Sequence, residues 1–169
     1  RLTDVVGSVS ELKPNADQRY LLIRRELPPN RRVAVVSADL NAALANPQSP
    51  ANVTLSPNDQ IMVFDLGSGR ERILKALMNE IRLQANLAEP AQVVNVSGRV
   101  KSPGDYPLEI GMRVSDLIRA GGSLEDAAYG GKAELSRYVV EEGQNRRTQV
   151  IEIRLGGLDR ERPDRCGVR

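Results

Sequence analysis

Arginine supplies the recurrent polar pattern of this sequence. Arg24-Arg25, Arg31-Arg32 and Arg146-Arg147 form doublets, Arg99 and Lys101 precede a Ser-Pro-Gly turn, and Arg137 occupies the place of Arg25 in a repeat set out below. Guanidinium forks suit carboxylates and phosphates, and therefore anionic sugars. On turns and edge strands the same charges keep a sheet from pairing with the wrong partner. Tyr106 and Tyr138 add rings able to stack on the apolar face of a sugar, although aromatic residues make up only 3% of the chain.

Other chemistry is excluded by residue type. The chain has no His, no Trp and a single Cys, Cys166, which removes Ser-His hydrolysis, histidine general bases, zinc fingers, Cys-ligated iron–sulfur clusters and internal disulfides. Paired carboxylates survive that filter. Asp4 and Asp116, however, each fall in the first turn of an expected helix, where a carboxylate favours the positive end of the dipole. Glu134 and Arg137 are three apart on an expected strand, hence on opposite faces. The expectation is a non-enzyme with no cofactor and no metal. Gly121-Gly122 follows a helix rather than opening one, so it is no phosphate cradle. With 24 basic and 22 acidic side chains the net charge is +2, too even for nucleic-acid binding. No apolar run approaches the ~20 residues of a membrane span. Without an initiator Met or an apolar leader ahead of Arg1, the chain reads as a processed or excised segment.

The elements that must position these residues come in two copies. Arg1-Leu2-Thr3-Asp4-Val5-Val6 recurs as Arg113-Val114-Ser115-Asp116-Leu117-Ile118, from 1 to 113, an offset of 112. The same offset aligns Arg25 with Arg137, and Asn30-Arg31-Arg32 then matches Asn145-Arg146-Arg147 at an offset of 115. The inserted residues fall in a turn, where added length costs little. The chain therefore divides into module one (1–66), a linker helix (67–91), module two (92–155) and a charged tail (156–169). Module one lacks an opening hairpin, and module two lacks a closing strand.

In module two a β-branched run, 93–100, and the turn Lys101-Ser102-Pro103-Gly104-Asp105-Tyr106 predict a hairpin shaped by Gly98, Pro103 and Gly104. A helix over 112–120 carries Asp116 in its first turn and ends at Gly121-Gly122. Strands follow over 133–140 and 148–155. Module one repeats them over 20–25 and 32–38, then adds a helical turn at 40–45 and an apolar strand led by Pro57-Asn58-Asp59. Ile73, Leu74, Leu77, Met78 and Ile81 make one face of a helix over 70–88, expected to pack on the adjoining modules.

Val94 through Leu108, followed by Met112 through Gly122, resembles the soluble-ligand-binding β-grasp (SLBB) domain: alternating strand, Gly, a basic-Ser-Pro-Gly-x-Tyr turn, a Ser-Asp-Leu-Ile helix, then Ala-Gly-Gly. Tandem copies in this style resemble the Wza-like outer-membrane polysaccharide export proteins. The resemblance implies an α+β fold of two β-grasp modules, each a small mixed sheet packed on a short helix, joined by an amphipathic helix. It also implies a non-catalytic periplasmic, outer-membrane-associated role in capsule or exopolysaccharide export. The partners implied are further copies or neighbouring SLBB modules, the exopolysaccharide, and an inner-membrane polysaccharide co-polymerase. Candidate glycan- or partner-binding residues are Arg25, Arg31, Arg32, Arg99, Lys101, Tyr106, Arg137, Tyr138, Arg146 and Arg147. The alternative is a β-grasp domain for a small soluble ligand of cobalamin-like type.

Overall fold

Tyr20-Leu21-Leu22-Ile23 is an unbroken apolar run of strand length, the pattern of a strand buried on both faces. The computed structural model describes residues 1–67, 69–86, 89–128, 131–141 and 145–155, and in it all four of these side chains are fully buried. They lie in the central strand of a three-stranded antiparallel sheet, β2-β1-β3, formed by β1 (Ala16–Leu27), β2 (Arg32–Ala38) and β3 (Gln60–Asp65). The expected strand 20–25 is longer than anticipated because both of its edges are paired.

Because successive side chains point to opposite faces, the run feeds two cores. Leu21 and Ile23 pack with Ala38, with Leu2 and Val6 at α1 (Leu2–Val5), and with Leu40 and Ala43 of α2 (Leu40–Ala45). Tyr20 and Leu22 face the other core, together with Phe64 of β3. That core also takes in α3 (Arg70–Leu83), the hairpin of β4 (Val93–Val96) and β5 (Gly104–Pro107), and α4 (Val114–Ala120). The expected apolar face of the linker helix is buried at Leu74, Leu77, Met78 and Ile81, whereas Ile73 stays at its margin, 37% exposed. The helix ends at Leu83, and Leu87 and Ala88 lie outside the described residues. The expected strand 93–100 is also shorter. It stops at Val96, and Val100 bridges Leu124 instead, flanked by bonds from Lys101 N–H to Ser123 O at 3.1 Å and Ser102 N–H to Gly121 O at 2.8 Å.

These elements form one compact unit, Arg1–Glu125, and a second begins at Asp126. The second consists of an antiparallel hairpin, β6 (Lys132–Glu141) and β7 (Asn145–Arg154). Its register repeats that of β1 and β2: Leu21↔Ala38, Ile23↔Val36 and Arg25↔Ala34 correspond, at offsets of 112 and 115, to Ala133↔Ile153, Leu135↔Ile151 and Arg137↔Gln149. The turn tip Glu142-Gly143-Gln144 and the expected tail 156–169, with Cys166, lie outside the described residues.

The fold class is α+β. Mixed sheets were expected, but every ladder among the described residues is antiparallel. β1 with β2, β4 with β5 and β6 with β7 are pairs of consecutive strands, whereas β3 reaches β1 through the longer connection that holds α2.

Candidate functional site

A groove of about 680 Å3 runs beside the free edge of β2, between that strand, the end of α3 and the segment that follows β5. Two of the expected cations, Arg25 and Arg32, line it. Apolar side chains open onto it too, among them Leu27, 42% exposed, and Ile110, fully exposed.

The β2 edge is capped at both ends by side chains. Gln84 accepts from Val33 N–H through Oε1 and donates back to Val33 O at 3.3 Å. Glu109 accepts from Ser37 N–H at 2.6 Å. Val35 lies between the two caps. Such caps occupy backbone groups that would otherwise template pairing with a foreign strand.

The groove arginines are already engaged. Arg25 donates Nε and Nη2 to the Asp59 carboxylate at 2.9 and 2.6 Å, and Nη2 also to Thr54 O at 2.8 Å. Arg32 pairs with Glu89. Arg31, 82% exposed and held at φ 53°, donates to Glu26 at 2.8 Å. Arg24, facing the other way from Arg25, bonds Glu80 at 2.9 Å and Glu26 at 3.1 Å. An incoming anion must therefore compete with resident carboxylates.

Two carboxyls are shifted in opposite directions, Glu109 in the groove lining and Asp59, which pairs with the groove residue Arg25. Hydrogen bonds from Arg25 hold Asp59 below its ordinary value of 3.8. Its stabilisation is present above that value and is lost as pH falls through the lowered one. Burial pushes Glu109 above its ordinary 4.5, against the bonds from Ser37. A raised carboxyl contributes stability that is complete below 4.5 and disappears as pH rises through the raised value. Glu109→Gln is therefore expected to lose the part of the pH dependence that lies above 4.5, while the acid limb set by Asp59 remains. Urea titrations at a series of pH values check this, and identical slopes for the two proteins above pH 4.5 would refute it.

The opening turn of module two forms a separate cluster. Gly98 (φ 91°) and Gly104 (φ 147°) adopt backbone conformations that side chains rarely take, and Pro103 lies between them. Gly122, at φ 79°, ends α4 in a Schellman motif: its N–H reaches Arg119 O, and Ser123 N–H reaches Ile118 O, both at 2.9 Å. A side chain on Gly121 would meet Val96 at 3.3 Å. Asp116 accepts from Arg113 N–H at 2.9 Å at the helix start. Arg99 pairs with Glu125 at 3.3 Å, and the Lys101 side chain is exposed. Tyr106 was expected to offer its ring to a ligand. It is instead 2% exposed in the core, and its hydroxyl donates to Ser102 O at 2.6 Å, so neither ring face is available.

In the second unit, Arg137 donates to Gln149 Oε1 at 2.8 Å and Tyr138 is 78% exposed. Arg147 is exposed on β7, and the side chain of Arg146 lies outside the described residues. The expected residues thus fall into three places: the groove (Arg25, Arg32, with Arg31 on the neighbouring turn), the opening turn (Arg99, Lys101) and the hairpin.

Sequence reasoning did not single out Gln84, Glu89 or Glu109, nor the most buried charge pair. Arg70 and Asp17 are 2% and 4% exposed and joined by a salt bridge. Arg70 also donates to Ala120 O and stands over the stacked rings of Tyr20 and Phe64, 5.4 and 5.5 Å from their centroids. A signal for it existed, because Arg70 lies on the same helical stripe as Leu74, Leu77, Met78 and Ile81.

Among the described residues no group of His, Cys, Asp or Glu is arranged to hold a metal, and no helix is long and apolar enough to cross a membrane. Residues 93–152, about a third of the chain, match the SLBB domain family; the matched stretch runs from β4 into β7. No curated protein and no solved structure matches the chain.

Proposed function

We propose that this chain is a non-catalytic docking module of a polysaccharide export assembly. In this reading it works in the periplasm in association with the outer membrane, and contacts further copies or neighbouring SLBB modules, the exopolysaccharide and an inner-membrane co-polymerase. The observation that carries the reading is the SLBB match over residues 93–152. It is supported by the hairpin register that 1–66 shares with that domain, which favours two copies of one unit. It is supported as well by charged strand edges and turns, such as Arg31 and Arg147, which suit reversible contact with anionic chains.

Sedimentation velocity of the purified chain over a wide concentration range is expected to show self-association. Acidic exopolysaccharide is expected to retard it in a salt-dependent manner, with no new reducing ends released. A chain that stays monomeric throughout and ignores the glycan overturns the proposal. Saturable binding of a cobalamin-like ligand in that same case would put the small-molecule reading in its place.

A further inference from the structure

Between its two caps the free edge of β2 keeps one open position. Alternate residues of a strand turn their backbone groups to the same edge, so Val35 presents its N–H and C=O in line with those of Val33 and Ser37, where Gln84 and Glu109 are bonded. Among the described residues no side chain caps Val35. Its own side chain packs in the core, so what it offers the groove is backbone. Val33 and Val35 from one face of the strand and Ala34 and Val36 from the other all line the groove, which makes the edge itself the floor. Leu27, Pro28, Ile81, Leu108 and Ile110 supply apolar walls.

Two observations select the occupant. At Val33 the edge N–H is taken by an amide oxygen, Gln84 Oε1, and the carbonyl by a donor, Gln84 Nε2 at 3.3 Å, so this edge already holds an amide. Charge then favours a neutral group, because Arg25 and Arg32 are matched by Asp59 and Glu89 and the window ends on the Glu109 carboxyl. An extended peptide bonds to every second residue of an edge, and here the positions on both sides of Val35 are occupied. The window from Val33 to Ser37 spans about 13 Å along the strand.

We infer that this window binds an N-acetylated amino sugar of an exopolysaccharide. The acetamido oxygen accepts from Val35 N–H, its methyl group meets the apolar walls, and an adjacent ring hydroxyl donates to Val35 O. The hydroxyl is needed because the N–H and C=O of a trans amide point in opposite directions, so the acetamido group cannot serve both backbone groups. The inference rests on the export reading and names a sugar class for it: acidic units are left to exposed arginines such as Arg31 and Arg147, and a neutral N-acetylated unit enters the groove.

The test uses the full, isotope-labelled chain with N,N′-diacetylchitobiose and with cellobiose, which carries a hydroxyl in place of each acetamido group. The Val35 amide resonance is expected to shift saturably with the diacetylated sugar, and cellobiose to bind about tenfold more weakly for want of the amide oxygen and the methyl group. Three results overturn the inference: no Val35 shift at high millimolar sugar, equal binding of the two sugars, or shifts confined to residues outside the groove. A short peptide of alternating valine and threonine that protects Val33, Val35 and Ser37 together from hydrogen exchange also overturns it, because the edge would then take a strand. Retention of acidic exopolysaccharide separates the two readings. Retention with an unmoved Val35 sinks the sugar site and spares the export reading, whereas a Val35 shift without retention keeps the sugar site and sinks the export reading.

Discussion

Replacing Arg70 by Met is expected to lower the unfolding free energy by about 3–5 kcal/mol, the cost of leaving a buried carboxylate without its counter-charge. Asp17 is 4% exposed and cannot turn to water for compensation. The guanidinium also serves the Ala120 carbonyl at the end of α4 and lies over two rings. Its loss therefore loosens the start of β1, the start of α3 and the end of α4 together. Against a typical total of about 5–15 kcal/mol this is a large fraction. Asp17→Asn is expected to be costly for the mirror-image reason, and the double variant Arg70→Met, Asp17→Leu to recover part of the loss, because an apolar pair leaves no stranded charge. Guanidinium titrations of the three variants measure this. A single-variant cost below about 1 kcal/mol would show that the pair behaves like an exposed one.

The second large effect is expected at Tyr106. Truncation to Ala removes a fully packed ring and is expected to cost about 3–5 kcal/mol. Tyr106→Phe keeps the ring and loses only the bond to Ser102 O, at about 1 kcal/mol. Retention on acidic exopolysaccharide should be the same for the Phe variant as for the native chain. Loss of glycan retention in a folded Phe variant would mean that the hydroxyl meets the ligand after all.

The two tyrosines named from sequence show what was legible and what was not. Tyr138 lies on a strand whose neighbours alternate cleanly, and it is exposed as its side of that alternation requires. Tyr106 lies in the four-residue strand Gly104-Asp105-Tyr106-Pro107, too short for alternation to indicate a face. Element positions were read well because they rest on local periodicity and turn chemistry, and the two offsets carry the register of one hairpin onto the other. The partners of the arginines were not legible. Arg24 with Glu80, Arg32 with Glu89 and Arg70 with Asp17 join residues 56, 57 and 53 positions apart, and no local pattern reports such distances. Arg70 is the partial exception, since a cation on an apolar helical stripe needs a buried counter-charge.

The two hairpins of shared register keep apolar chemistry on one face and differ on the other. Tyr20 and Leu22 occupy positions held by Lys132 and Glu134, which are exposed, with Lys132 bonded to Glu152 at 2.8 Å. A unit of this kind carries one side dictated by its architecture and one side open to revision. A handful of substitutions on the second side would let a hairpin of this register acquire or shed neighbours while its backbone stayed as it was.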